Sequence, residues 1–151
     1  MKKLMILVGC FFASLSAFAN ETTSPTDDLD LQTLITCDLA NPSPMYSLKI
    51  LIQRARIGNY TLGTVKAFSL GQRMTQQYPD LSTTYEKSSD SIITQVYSGT
   101  NTSPNANQGE FRLILNLTEK HLNENSIPAI AELNGGKIAV SCTYHPILFQ
   151  D

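Results

Sequence analysis

The chain has 151 residues, with 11 lysines and arginines against 13 aspartates and glutamates, for a formal net charge of −2. This length fits one domain with a hydrophobic core of its own. The slight acidic excess argues against nucleic acids and anionic membranes as partners, because binding to them requires a clustered positive field.

The first 19 residues have the pattern of a secretory signal peptide. Two lysines precede an apolar run from Leu4 to Phe12, and Ala-Phe-Ala precedes a cleavage site at Asn20. The apolar run is shorter than the roughly 20 residues of a membrane-spanning helix. We therefore expect no transmembrane span and a mature protein in the periplasm or outside the cell.

A lipoprotein is the minor alternative. Leu7-Val8-Gly9-Cys10 resembles a lipobox, in which Cys10 would be acylated. The apolar stretch before Cys10 is short for a signal peptide, and a better cleavage site follows it.

The mature chain would keep 9 basic and 13 acidic residues, since the leader carries only Lys2 and Lys3 as charged residues. Residues 20–30 are rich in Thr, Ser and Asp, and we expect them to be disordered. The pattern of a folded domain begins at Leu31, so residues 31–151 are predicted to form a single β-domain.

The first half of this domain shows strand alternation. Ile35, Cys37 and Leu39 share one face of a first strand, which Asn41-Pro42 ends. A second strand starts at Tyr46 and runs to about residue 57. Gly58-Asn59 is predicted as a two-residue hairpin turn, and a third strand returns over residues 60–70 with a bulge at Gly63.

The middle of the chain is harder to interpret. Residues 71–91 show neither the hydrophobic periodicity of a helix nor that of a strand, and only a short strand near residues 82–86 is expected. In the next strand, from Ile92 to Tyr97, the side chains of Ile93, Gln95 and Tyr97 share one face, and the alternate residues share the other. A polar loop is predicted from Ser98 to Gly109, followed by a clearly alternating strand over residues 110–118.

The C-terminal part leaves one choice open. Residues 127–133 fit either a short helix or a strand that Asn134-Gly135 joins to the last strand, and we slightly favour the hairpin because its turn sequence is specific. The last strand runs from Lys137 to Tyr144 and carries Cys142 on its apolar face. The chain is thus predicted to be all-β, a small antiparallel β-sandwich or barrel of six to eight strands.

The two cysteines of the mature chain, Cys37 and Cys142, lie on the apolar faces of the first and last strands. In an exported chain, an even pair most simply forms a disulfide. No Cys-x-x-Cys motif indicates a redox role. We expect a structural bridge that ties the first strand to the last.

The sequence does not define an activity. The preferred hypothesis is an exported non-enzymatic domain that binds a protein or glycan through the Ser98–Gly109 loop and the neighbouring strand. Its candidate contact residues are Tyr97, Asn101, Asn105 and Asn107.

Two further hypotheses are a structural envelope component and a small hydrolase with a composite site of carboxylates and His121. Glu119 and His121 would share a face if a strand extended to them, but no further ligand motif accompanies them, so we expect no metal and no cofactor. Arg54, Arg56 and Lys66 are expected to form a small basic strip across the first hairpin.

Overall fold

The computed structural model describes residues 30–89, 91–101 and 109–145. These residues form one short helix, α1 (Glu119–Glu124), and nine strands. The strands are β1 (Leu31–Leu39), β2 (Tyr46–Ala55), β3 (Thr61–Ser69), β4 (Gln72–Tyr78), β5 (Ser82–Ser89), β6 (Ile92–Asn101), β7 (Gly109–Leu117), β8 (Ile127–Leu133) and β9 (Gly136–Tyr144). The predicted signal peptide, Cys10, Asn105 and Asn107 lie outside the described residues.

All nine strands of the described chain belong to one antiparallel sheet with the order β4-β3-β2-β1-β9-β8-β7-β6-β5. The edge strands β4 and β5 are consecutive in sequence, and only residues 79–81 join them. The sheet must therefore curl until its two edges approach each other at this connection. The prediction of an all-β antiparallel fold is confirmed, but the described chain forms a nine-stranded half-barrel rather than six to eight strands in a sandwich.

The edge strand β4 is missing from the sequence prediction, and the edge strand β5 is longer than the short strand expected near residues 82–86. Residues 71–91 contain all of β4 and all of β5. Along β4 only Tyr78 is buried, and most of the strand is exposed. Such a strand shows no apolar–polar contrast, because neither of its faces is covered along most of its length.

The core lies on the concave face of the curled sheet, to which alternate residues of each strand point. Ile50, Val65 and Leu113 are among its fully buried side chains. The rings of Tyr78 on β4 and Phe111 on β7 stack with centroids 5.0 Å apart. Because these two strands are far apart in the sheet order, the contact holds the curl across the interior.

Leu81 fills the gap where the two edges of the sheet approach. A Cβ atom at Gly63 on β3 would lie 2.9 Å from Leu81 Cδ1, and one at Gly99 on β6 would lie 2.6 Å from Leu81 Cδ2. The predicted bulge at Gly63 is therefore wrong: the β2–β3 and β3–β4 registers pass through Gly63 without a shift. This glycine admits a neighbouring side chain.

Two hairpin predictions had different outcomes. Asn134 (φ 50°) and Gly135 (φ 81°) both adopt the left-handed conformation of a type I′ turn, and the strand β8 that precedes them confirms the hairpin. In the β2–β3 hairpin, the Ala55 amide donates to the Tyr60 carbonyl, so the loop has four residues, 56–59, rather than two. Gly58, at φ 88°, supplies the left-handed residue of this loop.

The predicted disulfide is confirmed. Cys37 on β1 and Cys142 on β9 are direct register partners, both fully buried, and their sulfurs are bonded. The bridge spans 105 positions of sequence and ties the first strand to the last. Among the described residues, no helix is long and apolar enough to cross a membrane.

Candidate ligand-binding site

A cavity of about 350 Å³ opens into the interior of the half-barrel and is lined by three tyrosines, Tyr85, Tyr97 and Tyr144. Tyr97 on β6 is 3% exposed, whereas Tyr85 on the edge strand β5 is 65% exposed. Tyr85 stands opposite Gln95 in the β5–β6 register, and Thr83 stands opposite Tyr97, so all four face the same side of the sheet. The cavity thus runs from buried phenols to an exposed rim.

Gln95 places a buried amide against these phenols. Its Nε2 donates hydrogen bonds to the hydroxyl oxygens of Tyr97 (2.7 Å) and Tyr85 (3.0 Å). Its Oε1 has no hydrogen-bond partner among the described residues, although the side chain is only 1% exposed. A buried polar atom without a partner costs about 1–3 kcal/mol, so this oxygen favours any group that donates a hydrogen bond to it.

The phenol of Tyr97 stays protonated at ordinary pH. Burial, and then the neighbouring phenols of Tyr144 and Tyr85, raise its pKa far above its usual value, and a hydrogen bond with Tyr144 acts in the same direction. The cavity therefore presents neutral phenols, and the buried Gln95 amide is bonded to two of them.

The rim adds further polar groups and two apolar ones. Nη2 of Arg54 donates a 3.2 Å hydrogen bond to Oδ1 of Asn59, and both residues line the cavity. The side chains of Leu34 and Leu81 form an apolar part of the cavity wall, and no carboxylate of the described chain lines the cavity. The guanidinium of Arg54 is thus the one charged group that the described residues contribute to this lining.

A second cleft, of about 550 Å³, lies beside the loop that the sequence predicts as the binding surface. It is lined by residues 98–100 of β6 and 110–112 of β7 together with the connection at Pro79 and Asp80. Four of its residues have side chains on the face of the sheet opposite to that of Tyr97: Ser98, Thr100, Glu110 and Arg112. The structure therefore puts Tyr97 and this cleft on different faces of the sheet.

Two of the four predicted binding residues, Tyr97 and Asn101, lie in the described part of the chain, both on β6. The Ser98–Gly109 loop is shorter than expected, because Ser98 to Asn101 continue β6 and Gly109 begins β7. Asn101 is 4% exposed at the end of β6, opposite Gly109. Of the two candidate contact residues that the structure describes, Tyr97 lines the tyrosine-lined cavity and Asn101 does not.

The residues of the hydrolase hypothesis do not converge in the described part of the chain. Glu119 and His121 lie two positions apart on α1, where such residues do not face each other. Glu110 is on β7, and Glu132 on β8 is paired with Arg112 and Lys137. No group of three or more His, Cys, Asp or Glu among the described residues could hold a metal ion.

The predicted basic strip is also not formed. Arg54 faces the concave side, whereas Lys66 pairs with Lys49 on the other side of the sheet. Arg56 forms an ion pair with Asp30 at 3.2 Å.

Sequence reasoning missed Gln95, Tyr85 and Tyr144 as members of a site. One indication was present: Gln95 shares the parity of Tyr97, so a polar amide lies on what proves to be the inner face of β6. The alternation could not identify that face, because Val96 on the other parity is also buried.

The fold and this cavity define an all-β half-barrel with a polar, tyrosine-lined cavity that opens into its interior. No protein-family model, no curated protein and no solved structure matches the chain.

Proposed function

We propose that the protein is an exported, non-enzymatic binding domain that takes a saccharide unit into the tyrosine-lined cavity. The observation that carries this proposal is the buried amide of Gln95, whose free Oε1 lies in the same network as the phenols of Tyr97 and Tyr85. The Tyr97 and Tyr85 phenols that this amide holds in place line the cavity, and their hydroxyl groups can donate to and accept from the hydroxyl groups of a sugar there.

The dimensions favour a glycan over a protein as the occupant. A volume of about 350 Å³ lies at the lower end of small-ligand sites, which span about 300–1,000 Å³. A protein partner would instead need about 800 Å² of surface on each side. The mixture of aromatic rings, hydroxyls and one guanidinium matches the alternating apolar and polar surface of a sugar ring.

Export is supported by the leader pattern and by the disulfide. A buried bridge between Cys37 and Cys142 forms and persists in an oxidising compartment. The periplasm or the extracellular space is therefore the expected location of the mature protein.

The test is calorimetric titration of the mature protein with a panel of plain and N-acetylated hexose oligosaccharides, comparing Tyr97→Phe with Tyr78→Phe. Both substitutions remove one phenol oxygen from a buried ring, but the Tyr78 hydroxyl donates to Gln76 and does not line the cavity. Tyr97→Phe should weaken saccharide binding about 5- to 150-fold, the value of a buried group left unpaired.

Tyr78→Phe should leave saccharide affinity unchanged. Tyr85→Phe, at an exposed position, gives a variant whose folding is secure and should also weaken binding. Equal affinities for wild type and all three variants, or no saccharide bound by any of them, would overturn the proposal. Binding that depends on Ser98 and Arg112 instead would assign the ligand to the cleft beside the loop.

A further inference from the structure

We propose that the convex face of β1 to β4 carries a second binding site, separate from the tyrosine-lined cavity, for the phosphoryl group of a phosphorylated ligand. The site consists of Lys49, Lys66 and Arg73, which line a cleft of about 630 Å³. It does not depend on the saccharide proposal, because these residues lie on the face opposite to the core.

The strand register brings the three cations together. Lys49 on β2 and Lys66 on β3 are direct cross-strand partners. Arg73 on β4 stands opposite Phe68, one diagonal step from Lys66. Directly opposed side chains have Cβ atoms about 4.5–5.5 Å apart and diagonal ones about 7–8 Å, so all three positive groups can reach one phosphoryl group.

Like charges directly opposite each other destabilise a sheet. One carboxylate, that of Asp38, partly offsets this pair, at 3.8 Å from Lys49. Within the described chain, no ion pair is found for Lys66 or Arg73. The positive charge of this face is therefore left largely uncompensated in a protein whose overall charge is negative.

On the other half of the sheet, a comparable row of charged side chains has its positive charges offset by a negative one. Arg112 on β7, Glu132 on β8 and Lys137 on β9 alternate in sign, with contacts of 3.0 and 3.1 Å. Protection of an edge strand against aggregation explains Lys or Arg on β4, but Lys49 and Lys66 lie on inner strands. A ligand with two negative charges accounts for the unbalanced pair.

An apolar neighbour gives the cleft a second feature. Phe68, the register partner of Arg73, is half-buried, lies on the same convex face and lines the cleft. The phosphoryl group would contact the cations, and the organic part of the ligand would lie against the ring of Phe68.

The first experiment measures thermal unfolding with and without sodium pyrophosphate at matched ionic strength. Wild type, Lys66→Gln and Lys49→Gln are compared with Lys120→Gln, which removes the same charge from α1, where Lys120 is 3.9 Å from Glu124. Pyrophosphate should raise the Tm of wild type and of Lys120→Gln, and this rise should be lost in both cleft variants. An equal response in all four proteins would overturn the proposal.

Two further readouts separate the possible outcomes. Without pyrophosphate and at low salt, Lys66→Gln should raise the Tm by about 1–5 °C, because it removes the like-charge pair, and high salt should abolish this gain. A lower Tm would contradict the repulsion on which the site is argued. A flotation assay then compares vesicles that contain phosphatidic acid with vesicles of phosphatidylcholine alone. Binding to the phosphatidic acid vesicles would identify a lipid headgroup as the ligand, whereas a response to pyrophosphate without vesicle binding would identify a free phosphorylated molecule.

Discussion

The side-chain amide of Gln95 donates a 2.7 Å hydrogen bond to the hydroxyl of Tyr97, two residues along the same strand and on the same concave face. This bond fixes both groups in the interior of the half-barrel and leaves Oε1 of Gln95 as a buried acceptor with no partner among the described residues. The proposed saccharide site rests on this arrangement, since the core around it is otherwise apolar.

Stability should fall at alkaline pH through Tyr97 and Tyr78. Burial raises the pKa of both phenols, and the Tyr144 and Tyr85 phenols raise that of Tyr97 further. The unfolded chain releases these protons near pH 10, while the native state holds them, so the unfolded state binds fewer protons above that pH. The contribution is complete below about pH 10 and is lost as pH rises towards the folded-state pKa.

The measurement is the free energy of unfolding in urea between pH 8 and 11. Tyr97→Phe and Tyr78→Phe should each flatten the alkaline decline, whereas Tyr46→Phe, at a position that is 48% exposed, serves as the control. A decline of unchanged slope in both buried variants would show that these phenols do not govern it.

Replacement of both bridge cysteines by alanine should destabilise the protein by about 2–5 kcal/mol, and the loop-entropy model sets about 4.7 kcal/mol for a loop of this size. The effect arises because the bridge between Cys37 and Cys142 restricts the unfolded chain over 105 positions. Urea unfolding of the oxidised, reduced and double-alanine proteins gives the free energies. The folded fraction should bind ligand normally, and loss of binding at unchanged stability would refute the structural role.

Gly99→Ala should destabilise the protein by about 1–3 kcal/mol through overpacking. The new methyl group would come within 2.6 Å of Leu81 Cδ2 in the gap between the two edges of the sheet. Leu81→Ala alone should cost about 2–5 kcal/mol, as for other buried leucines. In the double variant the two effects should be less than additive, because alanine at position 81 removes the clash. Strict additivity in urea unfolding would mean that the two residues do not touch.

Acid should weaken the fold through Glu132. A hydrogen bond from Lys137, and then the charges of Lys137 and Arg112, hold the pKa of this carboxyl below its usual value. Its contribution is present above the unfolded-state pKa of about 4.3 and is lost as pH falls through the folded-state pKa.

Urea midpoints at pH 7 and pH 3 test this. Glu132→Gln should lose less stability between the two than wild type does, whereas Glu124→Gln, from a longer pair with Lys120, should behave as wild type. A Glu132→Gln protein as acid-sensitive as wild type would contradict the assignment.

Strands with one covered face were predictable from sequence, whereas the edge strand β4 was not and the edge strand β5 was predicted only in part. β1, β7 and β9 alternate because one face of each packs against the core, and β8 was identified through the type I′ turn at Asn134-Gly135. β4 has no such contrast. The disulfide was predictable because both cysteines share a parity with buried residues such as Ile35 and Val140.

The site depends on which strands meet, and that information is not local. Tyr85, Gln95 and Tyr97 come from the β5–β6 hairpin, but Tyr144 comes from β9, which lies three places from β6 in the sheet and approaches it only through the curl. Gly63 was assigned to a bulge because its true role, admitting Leu81, requires a residue 18 positions away. The loop was chosen as a candidate binding surface because of its length. No sequence pattern indicates that the side-chain amide of Gln95 is buried beside a cavity.

The most direct test of the central claim is a nuclear magnetic resonance titration that follows the side-chain amide of Gln95. Saccharide from the panel that binds should shift the Gln95 Nε2 protons and the ring signals of Tyr97 and Tyr144, and Tyr97→Phe should suppress those shifts. Shifts confined to residues 98–100 and 110–112, with the Gln95 amide unmoved at saturation, would contradict the account and place the ligand in the cleft beside the loop.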